Sequence, residues 1–198
     1  MTLHVENHIF RFFVNYYLCD VLKIKCHITG IDIRQDVVDA SLKIRDELKY
    51  YNMDFVCADI LSYVPENEFD VAISLHACDV ATDYAIAAAV NNRAKVVAFV
   101  PCCHKELMES IKCDEKLSFI TEHPIMKKRF NDIFTDAYRV KVLEENGYDM
   151  TLTEFVSPLD TPKNLIMLGV LGTTKKKNVS DDIERNFCVS PILKKLIF

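Results

Sequence analysis

Apolar residues in this chain fall into short runs rather than one long stretch. Val71–Leu75 and Val96–Val100 are such runs, and residues 79–90 between them have helical character. That pattern predicts two buried parallel strands joined by a crossover helix. Upstream, residues 26–31 read as a strand ending at Asp32. Residues 35–50 read as a helix with Val37, Val38, Ser41, Leu42, Ile44 and Leu48 on one side. Met53–Cys57 is a short strand followed by Ala58 and Asp59, and residues 60–64 form a helical turn. Residues 9–21 place Ile9, Phe12, Phe13, Tyr16 and Tyr17 near helical spacing, which predicts an amphipathic helix packing its aromatic stripe on a sheet.

Downstream, residues 105–111 are expected to be helical. Residues 112–128 are irregular, with Pro124 as an interruption, and a long helix over 129–146 stops at Gly147. Residues 148–156 and 164–170 alternate apolar and polar positions and predict two antiparallel strands. The closing ILKKLIF is apolar enough to pack back on the body. Alternating strands and helices predict an α/β fold, a mostly parallel sheet with helices on both faces and an antiparallel C-terminal edge. One domain over 1–172 and a tail over 173–198 follow.

At 198 residues the chain suits a single core. No apolar stretch approaches the ~20 residues of a membrane span, and no charged leader precedes the first apolar segment. The net charge of −5 sets aside a generic nucleic-acid binder, although Lys127, Lys128 and Arg129 make a local basic run. Eight cysteines are scattered, several inside apolar runs as small buried hydrophobes would be. With no secretory leader, a reducing, cytoplasmic compartment is expected rather than a disulfide framework.

The reactive residues sit just past the strands, where open α/β sheets bind ligands. Asp32 is placed to accept hydrogen bonds from ribose hydroxyls, and Asp59 from an adenine amino group, although either could simply cap a helix. His76, Cys78 and Asp79 follow one strand; Cys102, Cys103 and His104 follow the next. Adjacent Cys102 and Cys103 are expected to point in different directions, which suits one tetrahedral metal poorly, so no metal is assigned. A nucleophilic Cys103 with His76 or His104 as base stays open beside the plainer reading of a polar cleft.

The segments GID (30–32), AD (58–59), FDVAISLHACD with Asp83 four residues on, VPCCH (100–104) and TPKN (161–164) resemble a class I S-adenosylmethionine-dependent methyltransferase. The nearest likeness is to a subgroup with LHAC and PCCH that includes relatives of an RNA 2′-O-methyltransferase. The resemblance implies a Rossmann-like sheet of six parallel strands and one antiparallel strand, with S-adenosylmethionine over its first half. Asp32 would hold the ribose and Asp59 the adenine, with Ile33 and Ile60 beside them. His76 and Ala77 would line the methionine end. Cys78, Asp79, Pro101, Cys102, Cys103 and His104 would face the methyl acceptor, with RNA suggested by the subgroup.

Two departures stand out. Gly30 is the first glycine, so the usual glycine-rich loop is absent, and His4-Val5-Glu6-Asn7-His8 follows only Met1-Thr2-Leu3. The first strand is therefore expected to be missing or degenerate, with the chain truncated or altered. Asp79 also stands where the subgroup usually has glycine. These features set two readings beside the enzyme: a non-catalytic methyltransferase-like binding module, and an unrelated nucleotide-binding α/β protein such as an oxidoreductase.

Overall fold

The computed structural model describes residues 2–5, 8–63, 65, 69–75, 77–113, 118–157, 159–161, 163–173 and 176–198. Seven strands form one sheet: β1 (Thr2–Val5), β2 (Ile28–Asp32), β3 (Met53–Cys57), β4 (Val71–Leu75), β5 (Val96–Val100), β6 (Tyr148–Glu154) and β7 (Leu165–Leu171), in the order β3-β2-β1-β4-β5-β7-β6. β1 to β5 run parallel, and β7 lies antiparallel to both β5 and β6. The sheet is thus of the expected kind, with six strands in one direction and one reversed.

The first strand is present and short, so of the two alternatives the degenerate one holds. Thr2 pairs with Thr29 on one side and Ala72 on the other, and the ladder to β4 extends to Val5 opposite Leu75. Four residues are few for a central strand. What propensity alone would not specify is fixed here by ladders on both edges.

Helices α1 (His8–Asn15) and α2 (Gln35–Leu48) cover one face, where Phe12, Ile28, Val38, Met53 and Phe55 form a core. α3 (Val80–Asn91), α5 (Pro124–Glu145) and the C-terminal α7 (Ile192–Leu196) serve the larger core, which includes Ile86, Val97, Phe99, Tyr138, Leu143, Met167 and Leu193. Successive residues of β4 illustrate the alternation, Ala72 joining the larger core and Ile73 the smaller. α3 is buried nearly all round, and its alanines let the sheet and α7 approach. The tail does pack back: Leu193 is fully buried, and Asn91 Nδ2 donates to the Leu196 carbonyl at 2.8 Å.

Several expectations are corrected. The aromatic stripe of the first helix does not enter the core, since only Phe12 is buried while Ile9, Phe13, Tyr16 and Tyr17 lie more than half exposed. The helix passes into a π-helical segment at Tyr16–Val21, which breaks the 3.6-residue register for Tyr16 and Tyr17, while Ile9 and Phe13 are exposed within the regular helix. Pro124 starts a helix instead of interrupting one. It occupies the first turn of α5, where its missing N–H costs nothing. Residues 105–111 form isolated turns, not a helix. A short α4 (Ser118–Thr121) precedes α5, and α6 (Ser180–Phe187) precedes α7. Gly147, with φ of 96°, ends α5 as its sequence predicts. None of the eight cysteines is buried, contrary to the reading of several as small core residues, and no disulfide joins them.

Candidate functional site

Because β1 to β5 are parallel, their carboxyl ends share one rim; Asp32 is the last residue of β2, and Asp59, Cys78, Cys102 and Cys103 follow the ends of their strands. Backbone bonds tie neighbouring tips together. Ala58 N–H donates to the Asp32 carbonyl at 3.0 Å, and Asp79 N–H to the Cys103 carbonyl at 3.2 Å. His76 lies outside the described residues, as do residues 6 and 7 between β1 and α1.

The two carboxylates share a local geometry. Asp32 Oδ1 accepts from Arg34 N–H at 3.0 Å, and Asp59 Oδ1 from Leu61 N–H at 2.9 Å. Each side chain thus closes an Asx turn, which fixes its orientation. The environments differ. Asp59 is exposed, while Asp32 is buried and sits 3.7 Å from the guanidinium of Arg11, which is wholly enclosed. Burial pushes the Arg11 guanidinium down from its ordinary value, and Asp32 acts against that. Gly30 allows this arrangement: a Cβ there would meet Arg11 Nη1 and the Phe55 ring at 2.7 Å. Ile33 is exposed beside Asp32, whereas Ile60 packs against the larger core.

At the β4 and β5 tips, Ala77 and Pro101 are buried, and the Thr82 hydroxyl donates to the Ala77 carbonyl. The sulfur of Cys102 lies 3.4 Å from that of Cys78 and 3.8 Å from that of Cys103, and all three lie within 4.8 Å of one another. The expectation that adjacent cysteines point apart fails because both lie beyond the end of β5, where strand alternation no longer applies. Burial, then the neighbouring thiols, pushes the Cys102 thiol up to about 12.

Asp79 adopts φ of 54° and ψ of −124°, a conformation that glycine takes at no steric penalty. Its carboxylate accepts from the N–H groups of both Lys105 and Glu106, at 2.7 and 3.0 Å. These bonds tie the loop after β4 to the loop after β5 and hold the backbone in its unusual state.

His104 turns inward, its side chain 1% exposed. Nε2 lies 2.6 Å from Asp136, and Nδ1 3.3 Å from both Asp132 and Lys163 Nζ. Lys163 also pairs with Asp132, and Arg139 binds Asp83 while donating to the Asp79 carbonyl at 3.0 Å. Asp132, Asp136 and Arg139 carry no sequence signal. Asp83 and Lys163 lie within the motifs, but no partner could be read for them.

A family model described as a methyltransferase domain matches residues 10–110. The chain is 26% identical to the glutathione S-transferase C-terminal domain-containing protein of Homo sapiens over 170 residues, covering 73% of this chain and 26% of that protein. The counterpart from Bos taurus is 25% identical over the same coverage. The chain therefore spans about a quarter of the length of these relatives. An rRNA methylase from Streptococcus thermophilus superposes with a TM-score of 0.53 at 10% identity, covering 87% of both chains. An SAH-bound methyltransferase from Podospora anserina gives 0.53 at 9%, covering 87% of this chain and 71% of that one.

Proposed function

The chain belongs to a methyltransferase-domain family, and on that premise we propose that it binds S-adenosylmethionine along the rim and transfers the methyl group to RNA. The observation that carries the reading is the pair of carboxylates at adjacent strand tips. One oxygen of each is held by a backbone N–H, which aims the carboxylate; the second oxygen of Asp32 faces the Arg11 guanidinium at 3.7 Å, and that of exposed Asp59 is open to a ligand. A ribose diol and an adenine amino group are donors of the kind these acceptors suit.

When bound, S-adenosylmethionine supplies an electrophilic methyl group on a sulfonium centre. What this chain's residues contribute is placement. Asp32 and Asp59 orient the nucleoside, Ile33 offers an exposed apolar surface beside it, and Ala77 sits at the β4 tip with its carbonyl fixed by Thr82. Cys78, Cys102 and Cys103 occupy the acceptor side. Holding donor and acceptor in line is itself a large source of rate.

RNA is supported by the position of the basic run. Lys127, Lys128 and Arg129 lie in the first turns of α5, just before Asn131, whose Nδ2 donates to the His104 carbonyl at 2.8 Å. That puts the run just beyond the β5 tip, where it would meet phosphates. In this reading residues 1–172 form the methyltransferase unit, 173–198 are a tail whose last helix packs on its core, and cysteines without disulfides suit the cytoplasm.

Calorimetric titration with S-adenosylhomocysteine tests the proposal. Micromolar binding to the wild type, abolished in a folded Asp32→Asn variant, is the expected result. No heat from a folded wild-type sample would overturn it and leave the non-catalytic module as the better description.

A further inference from the structure

Three thiols from two separate loops meet at the rim. Two features set them apart from incidental cysteines. Cys78 is exposed and Cys102 and Cys103 are half-buried, so they do not fill a core. Their loops are also held together without the sulfurs, by the Asp79 N–H bond to the Cys103 carbonyl and by the Asp79 carboxylate on Lys105 and Glu106 N–H. The sulfurs are therefore gathered in advance of any ligand.

We propose that Cys78, Cys102 and Cys103 form a three-thiolate site for a soft divalent cation of the zinc type. Tetrahedral zinc with Zn–S of about 2.3 Å spaces its sulfurs about 3.8 Å apart. The separations of 3.4 and 3.8 Å, with the third no more than 4.8 Å, match that edge. A triangle of this size has a point within about 2.4 Å of every corner, close to the Zn–S length. Sulfur ligands select zinc over magnesium or calcium, which take oxygen. Each thiol gives its proton to solvent as it becomes a ligand. With Cys78 exposed, the fourth position is open to water, the pattern of a reactive zinc rather than a closed structural one. The site uses the thiols placed above on the acceptor side, but metal binding there does not depend on the methyl-donor reading.

Cobalt(II) and zinc(II) titration of the reduced, metal-free full chain tests this. A single cobalt should bind with a thiolate-to-metal charge-transfer band and intense tetrahedral visible bands, and zinc should bleach both. Cys78→Ser and Cys103→Ser should each remove the charge-transfer signal while far-UV circular dichroism stays native. Cys26→Ser, just before β2 and so at the amino ends of the parallel strands, should leave it intact. Should the serine variants fail to fold, wild-type protein gives the answer by alkylation mapping. Zinc should slow iodoacetamide modification of Cys78 and Cys103 and not of exposed Cys57 or Cys188. A cobalt spectrum lacking charge transfer, or equal modification rates with and without zinc, would overturn the site.

Discussion

Arg139 grips Asp83 with two parallel hydrogen bonds, Nε to Oδ1 at 2.9 Å and Nη2 to Oδ2 at 2.7 Å, with both side chains at most 3% exposed. Burial alone would push this guanidinium down, but Asp83, with Asp136 and Asp79, outweighs it and holds it above its ordinary value. Because Nη2 also reaches the Asp79 carbonyl, the pair anchors the loop that carries Cys78. Removing one partner strands a buried charge. Asp83→Ala should therefore destabilise the fold by about 3–5 kcal/mol in urea unfolding, whereas the double change with Arg139→Met should recover much of that loss.

Asp79 combines backbone strain with two compensating hydrogen bonds. Asp79→Ala keeps the strain and loses the bonds, for an expected loss of about 1–3 kcal/mol. Asp79→Gly loses the bonds but relieves the backbone, so it should lie closer to the wild type. Denaturant midpoints of the two variants measure the difference, and an alanine variant as stable as the glycine one would contradict the account.

Gly30 is occupied from above by Arg11 and Phe55. Gly30→Ala should destabilise by about 1–3 kcal/mol through overpacking. It should also weaken S-adenosylhomocysteine binding, since displacing Arg11 disturbs the Asp32 carboxylate. Thermal melts and calorimetry read the two effects separately.

Tyr148 is buried, and its hydroxyl donates to the Ala94 carbonyl at 2.7 Å. Burial pushes its phenol up to about 12 from an ordinary value of 10.0. A raised acid favours the protonated folded state, so its contribution is complete below pH 10 and is lost as pH rises toward about 12. Denaturant midpoints should fall across that window, and the fall should be shallower in Tyr148→Phe.

The strands with continuous apolar runs, β4 and β5, were legible to the residue, because burial on both faces demands such runs. β1 was not: four residues leave no measurable period, and their pairing is decided by strands far along the chain. The helix expected over 105–111 gives way to turns, closed by Met108 N–H on the Lys105 carbonyl and Ile111 N–H on the Leu107 carbonyl, and the Asp79 carboxylate that fixes the start of this segment comes from a different loop. The rim's carboxylates and thiols could be placed from strand ends alone. The hub beneath it could not, since His104, Asp132, Asp136, Arg139 and Asp83 meet only once α5 lies across the β5 tip.

The position of Thr2–Val5 has a mechanical consequence. The ribbon β3-β2 and the ribbon β4-β5-β7-β6 are stitched to each other in the sheet only through this strand. Peeling it away would unfasten both seams at once, so amides of β2 and β4 that face it should exchange with deuterium at a common rate, as one event rather than two.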